Sequence, residues 1–294
     1  MTRLVPIAPS HQLAPLLDVY GEAAAAKRRR LLLGLALVVV AFVIAGLAAE
    51  VRPGTLWHKI GNFTGYFDRL LKLEDGARVW TDPREWFWGL TRWGRLLGET
   101  LLIAYVATLS GVVVAVAAAA PASRNMMPLA LVRIVVRRVL EFCRTVPDIV
   151  FALIFVAAFG LGALPGVLAL AIHTAGALGK LFAEIVENIE MGPVEGLAST
   201  GSGWLAQVRF GVIPQVLSNF TSYALLRFEI NVRGATVIGF VGAGGIGEDL
   251  IVAIRKFFYS DVSAILLMIV ATVMLIDMVS SRVRHRLLAM ESRG

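Results

Sequence analysis

The stretch Gly239–Leu250, "GFVGAGGIGEDL", divides the possible folds into two. Gly242, Gly244 and Gly247 have the G-x-G-x-x-G spacing of a dinucleotide-binding turn, and Asp261 stands at about the distance of a ribose-binding carboxylate. "ATVIGFV" before it reads as a strand, and "EDLIVAIRKF" after it opens a helix. That fold also requires a crossover helix and a second strand in water, whereas here a bilayer-length apolar run follows from Val262. In a membrane chain the same glycines serve another purpose, allowing positive φ and close helix approach at a re-entrant turn. The surroundings decide between the two.

The 294 residues are 57% hydrophobic and 17% charged, with a mean hydropathy of +0.75. Soluble domains average about 25% charged residues. The apolar excess falls in blocks of membrane-spanning length, roughly 17–25 residues. Leu31–Ala49, "LLLGLALVVVAFVIAGLAA", follows "KRRR"; it is longer than a signal-peptide core of about 7–15 residues and reads as a retained span. Net charge is +7 and pI about 10, but the arginines gather beside apolar blocks, as the positive-inside rule expects, rather than along one soluble face. That argues against nucleic acid as a partner. Cys143 is the single cysteine and His11, His58, His173 and His285 are scattered, so neither a disulfide nor a metal site is expected.

The expected architecture is all-α and integral to the membrane, with about six transmembrane helices. Residues 1–30 read as a cytoplasmic tail and 31–49 as the first span. Residues 50–95 read as an extracytoplasmic, partly interfacial segment holding five of the six tryptophans (Trp57, Trp80, Trp86, Trp88, Trp93). The later spans are read as 96–120, 133–160 interrupted by "RTVPDI", 164–186, 216–241 and 262–280. With the N-terminus cytoplasmic, "KRRR", "RIVVRR", Arg209 and "SRVRHR" all fall inside, as does the C-terminus.

Residues 188–214 then form a cytoplasmic loop containing "PVEGLASTGSGWLAQVRFGVIP", Pro193–Pro214. Leu197, Leu205 and Val208 give it amphipathic helical character, Gly201 and Gly203 break it, and Pro214 opens the next helix. A docking surface and a plain interspan loop both fit this pattern. The stretch resembles the signature loop of ABC-importer permeases, E-A-A, three residues, G, nine residues, I-x-L-P. Glu195, Gly201, Ile213 and Pro214 match it, while Gly196, Leu197 and Gly211 depart from it. "RTVPDI" resembles a second segment of that family, and the run Leu225–Gly247 is most similar to its phosphonate-transporter subfamily.

The resemblance covers about Leu96–Arg286. It implies a type I, binding-protein-dependent importer permease: a core of five helices within 96–286, with one extra N-terminal helix. It also implies a coupling loop on which a pair of separate ATPase subunits docks, carried by Glu195, Gly196, Ala198, Gly201, Ile213 and Pro214. ATP and Mg would be bound by those ATPases, with no cofactor and no catalytic residue in this chain. Other implied partners are an external substrate-binding protein, a second copy of the chain and membrane lipid, in a bacterial inner membrane. No G-x-x-x-x-G-K-[ST] occurs; "TAGALGKLF" lacks both its first glycine and its hydroxyl.

Intramembrane charges mark candidate pathways. Helical spacing puts Arg227, Ile230, Asn231 and Gly234 on one face and Glu229, Arg233 and Thr236 nearly opposite, with Glu229 and Arg233 as an i, i+4 pair. Arg227 and Asn231, with Arg233 and His173, are candidate pathway residues for an anion; alternatively Arg227 pairs with Glu184 or Asp277, and His173 is simply packed. Gly242, Gly244, Gly245, Gly247, Glu248 and Asp249 are expected in an outer-face loop touching the binding protein. Competing readings are a permease for another small solute such as an amino acid, an ion-coupled secondary transporter, and a membrane-bound oxidoreductase.

Overall fold

The computed structural model describes residues 10–291, and its elements are helices; the one extended pairing among those residues is an isolated bridge between Lys72 and Arg78. Helices are what hydrocarbon demands, since each satisfies its own backbone groups. The chain divides into two compact units, Met1–Tyr66 and Phe67–Gly294. The second unit begins before the Arg95 boundary expected from the sequence. Residues 1–9 of the expected tail lie outside the described residues.

In the first unit α1 spans Ser10–Ala48, and its Tyr20–Ala48 portion is long and apolar enough to cross a membrane. Leu31, Leu35, Val39 and Phe42 on it are exposed. Glu50 turns the chain with a φ of 53°, and α2 (Pro53–Leu70) follows, its last turn belonging to the second unit.

The second unit continues with α3 (Pro83–Trp86), α4 (Leu90–Ala122), α5 (Ala130–Thr145), α6 (Asp148–Phe159) and α7 (Ala163–Glu187). Next come α8 (Gly192–Ser199) and the short α9 (Trp204–Ala206), which runs through a π-helical turn, Gln207–Val212, into α10 (Ile213–Ile238). A 3-10 turn, Gly239–Val241, leads to α11 (Ile246–Arg255) and α12 (Tyr259–Glu291).

Four helices cross by length and apolarity alone: Tyr20–Ala48, Leu90–Ala122, Ala163–Glu187 and Tyr259–Arg284. The expected six are reached when two bent pairs each count as one span. The first pair is α5 with α6, bent by 86°. Pro147 causes the break, because its ring forces Val146 into an extended conformation (φ −72°, ψ 124°) and ends α5 there. The second pair is the helix ending at Val241 with α11, bent by 48° at the glycines.

Helix α7 is the centre of the unit and packs on α4, α5, α6 and α10. Its buried face carries Gly166, Ala169, Thr174, Ala175, Gly176, Gly179 and Ala183, while α4 offers Ala104, Ala107, Thr108, Gly111, Ala115 and Ala119. Such small residues three or four apart let helix backbones meet closely where burial from water supplies no driving force. Gly176 shows how tight the fit is: a Cβ there would lie 2.6 Å from the backbone nitrogen of Arg144 on α5.

The tryptophans expected at the membrane interface are more committed than that reading allowed. Trp93 is 2% exposed, Trp86 Nε1 donates to Ser263 Oγ at 2.9 Å, and Trp88 Nε1 donates to Asp261 Oδ1 at 2.8 Å. The N–H groups of Trp86 and Trp88 find partners on α12, and Asp261 serves an indole rather than a ribose.

Candidate functional site

Three groups of the expected residues can now be placed, at two ends and in the middle of the α4–α7–α10 bundle. At the end where α7 finishes, α8 and the α9–π segment form a helical knuckle. Glu195, Gly196, Ala198, Gly201 and Pro214 are exposed and Ile213 is half-buried. Gly201 holds a φ of +77°, so the break between α8 and α9 is conformational as well as compositional.

Val194 and Val212 are buried beneath the knuckle with Val216, Phe182 and Phe220. The departure at Gly211 has a local cause, because a Cβ there would stand 3.0 Å from Val194 Cγ2 and 3.3 Å from Leu197 Cδ1. Helix α8 lies directly across that position.

A set of polar contacts, not foreseen from the sequence, ties the base of the knuckle together. Glu187, at the end of α7, accepts from the Arg124 backbone N–H at 2.7 Å and pairs with Arg137 on α5. Arg137 Nε also donates to the Ala122 carbonyl at 2.7 Å, and Asn125 Nδ2 donates to the Val186 carbonyl at 2.8 Å. Trp204 Nε1 donates to the Met126 carbonyl at 2.8 Å, and Gln215 exchanges two bonds with the Glu190 backbone at 3.1 Å. Each partner is dozens of residues away or across a loop, which no local pattern reveals.

At the other end, the glycine stretch is packed rather than an exposed loop. Residues 243–247 are buried, and α11 continues for 10 residues beyond them, about 15 Å at about 1.5 Å per residue. Lys256–Phe258 then connect α11 to α12. The stretch is therefore a packed break between α10 and α11, where the chain bends by 48°.

Gly242, Gly244 and Gly245 adopt φ of +83°, +85° and +81°. Gly247 is helical but cannot carry a side chain, because its Cβ would fall 2.0 Å from the Thr236 carbonyl oxygen. Thr100 Oγ1 on α4 accepts from the Ile246 N–H at 2.9 Å, and the Gly162 N–H of the α6–α7 turn donates to the Gly242 carbonyl at 2.9 Å. Glu248 and Asp249 are turned inward: Glu248 Oε1 accepts from the Gly244 N–H at 2.9 Å and Asp249 pairs with Arg92 at 2.6 Å.

Between the two ends, the expected pathway face divides. Arg227 Nη2 meets His173 Nδ1 on α7, and Arg227 Nε donates to Thr174 Oγ1 at 3.2 Å. Asn231 is fully buried, with Nδ2 donating to Thr108 Oγ1 at 2.8 Å and to Thr174 Oγ1 at 2.9 Å. So Arg227, Asn231 and His173 do come together, joined by Thr108 and Thr174.

Ile230 does not join them; it is exposed, as is Arg233. The expected Glu229–Arg233 pair is replaced by a longer-range one: Glu229 is buried against α12 and faces Arg284 at 3.7 Å. Nor does Arg227 pair with Glu184 or Asp277, since Glu184 faces Lys180 at 4.0 Å and Asp277 is exposed.

A span-rich bundle with a protruding knuckle and a polar centre is the anatomy of a membrane transport subunit. The chain belongs to the family of binding-protein-dependent transport system inner membrane components, whose pattern it matches over residues 111–288. It is a permease component of an ABC importer, of the phosphonate-type subfamily, and a multi-pass membrane protein.

Among its relatives is the phosphate-import permease protein PhnE of Mycolicibacterium smegmatis, 36% identical over 250 residues. That match covers 84% of this chain but only 44% of the relative, so the chain spans less than half of that protein's length. The phosphite transport system permease protein PtxC of Stutzerimonas stutzeri is 43% identical over 67% of this chain and 72% of its own. The fold is that of an inward-facing MetNI methionine ABC transporter structure, at a TM-score of 0.58 and 20% identity, over 70% of this chain and 98% of that one.

Proposed function

We propose that this chain is the membrane-spanning subunit of an ATP-driven importer for phosphonate or a related phosphorus oxyanion. The knuckle at residues 188–214 is the coupling loop, with Glu195, Gly196, Ala198, Gly201, Ile213 and Pro214 on or beside the surface that meets a separate ATPase. ATP and Mg are held by that ATPase, and its closure drives alternating access of the spans in a pair of these chains. An external binding protein delivers the substrate, and both termini lie in the cytoplasm.

The observation that carries this reading is the form of the knuckle. Its outer face is exposed and bears unpaired side chains such as Glu195, while its inner side is stitched to α4, α5, α7 and α10. A surface built only to connect two spans needs no such base. The names of the relatives, a phosphate-import and a phosphite permease, support the substrate class.

The test is reconstitution with a cognate ATPase and binding protein. ATP hydrolysis is expected to rise when loaded binding protein is added, and the rise is expected to vanish with Glu195→Arg or with residues 195–203 deleted. Substrate flux without ATP hydrolysis would overturn the reading.

A further inference from the structure

Arg227 sits well inside α10, in the second of the two bent pairs that serve as spans. A cation at that depth costs several kcal/mol unless it is paired or faces a wet cavity. Among the described residues no carboxylate lies within ion-pair distance of it. Its guanidinium instead spends one N–H on His173 and one on Thr174.

Because arginine only donates, His173 Nδ1 is the acceptor, which leaves the imidazole proton on Nε2 as a further donor. Nη1 makes no hydrogen bond, so the outer edge of the guanidinium keeps its N–H groups uncommitted.

Asp148, just after the α5–α6 break, is the one carboxylate whose charge acts on both Arg227 and His173, and Arg144 on the other side of the break also acts on His173. Asp148 is not within ion-pair distance of Arg227. The guanidinium is also held in place from behind. Thr108 Oγ1 donates to the Ala104 carbonyl at 2.6 Å and receives Asn231, and Asn231 in turn holds Thr174. A planar donor fork with fixed orientation, free outer N–H groups and no direct ion pair suits two oxygens of a tetrahedral oxyanion.

We infer that Arg227, with His173 beside it, is a transit site for the phosphorus oxyanion, with Thr174, Asn231 and Thr108 as positioning residues. The inference rests on the importer reading above. It assigns to the span a contact with the cargo that is separate from recognition by the binding protein.

The test uses proteoliposomes holding the full importer, with uptake of radiolabelled phosphite and phosphate and ATP hydrolysis measured on the same vesicles. Arg227→Gln is expected to lower uptake at least about tenfold, the loss of one charge-assisted hydrogen bond. Stimulation of hydrolysis by loaded binding protein is expected to persist, so the pump runs without cargo. Arg227→Lys, which keeps the charge but not the fork, is expected to fall between. Wild-type rates of uptake in Arg227→Gln would overturn the site. Loss of both uptake and stimulation in both variants would assign Arg227 to holding helices together, and would overturn it too. Absence of ATP-dependent uptake by the wild type would instead sink the importer reading itself.

Discussion

Replacing Gly247 by alanine tests whether the glycine stretch is a tightly packed break between α10 and α11 or a loose turn. The added Cβ would lie 2.0 Å from the Thr236 oxygen, 3.0 Å from Gly239 Cα and 3.1 Å from the Thr236 carbonyl carbon. All three are backbone atoms, so no rotamer change relieves the clash. An ordinary carbon–oxygen contact needs rather more than 3 Å, so the end of α10 and the start of α11 must separate by over an ångström. Thr100 and Ala163 pack on the same stretch and resist that movement.

Overpacking of a well-filled site costs about 1–3 kcal/mol, and occasionally more. At about 1.4 kcal/mol per factor of ten, the folded population should fall by about 5- to 150-fold relative to unfolded. The control is Gly196→Ala on exposed α8, where nothing lies within 4 Å of the added methyl. There the change should stabilise the helix by about 0.5–1 kcal/mol. Unfolding in a detergent–SDS titration, followed by tryptophan fluorescence, reads both. If Gly247→Ala unfolds at the same SDS fraction as wild type, the close packing of α10 on α11 is wrong.

Three further outcomes follow from side chains that meet across the bundle. Asn231→Leu should lose about 1–3 kcal/mol, from two buried bonds worth up to about 1.7 kcal/mol each within a membrane; a double-mutant cycle with Thr108→Val should give a coupling well above zero, and additivity would refute the contact. Removing the cation of the α10–α12 pair should hurt more than neutralising the acid: Arg284→Leu strands Glu229, whose side chain is 3% exposed, whereas Glu229→Gln leaves an arginine that is 25% exposed. Equal losses in SDS unfolding would contradict that asymmetry. Glu187→Gln should weaken the pair with Arg137, costing about 1–2 kcal/mol, and should reduce stimulated ATP hydrolysis in the reconstituted importer; an unchanged rate would show that the base of the knuckle need not be tied.

The spans were legible because apolarity and length are local properties: Leu96–Ala120 and Leu164–Val186 fall inside α4 and α7, the second nearly end for end, and Leu31–Ala49 matches the C-terminal half of the longer α1. The break at "RTVPDI" was legible too, since proline acts on its own neighbours. The knuckle was visible through Gly201, Gly203 and Pro214 for the same reason.

Partners across the bundle were not legible. Periodicity put Glu229 beside Arg233 and said nothing of Arg284, which is far off in the chain but adjacent on α12. It placed Ile230 with Arg227, although the arc facing α7 is narrower than that. The glycines left their packing open. Turn chemistry is the same in an exposed turn and a packed one, and only the contacts with Thr100, Gly162 and Thr236 show which it is. The close packing that the third glycine of a nucleotide fingerprint permits between helix and strand is used at Gly247 against the carbonyl oxygen of Thr236, on a helix.

The bonds at the base of the knuckle have a mechanical consequence. Glu187 grips both Arg124 and Arg137, Trp204 grips Met126, and Gln215 grips Glu190. A force applied at α8 therefore has no single helix to bend. It is shared among the ends of α4, α5, α7 and α10, which these bonds tie together. The places left to give are the two discontinuities farther along, at Pro147 and at the glycines, where the backbone has no continuous helix to transmit the strain.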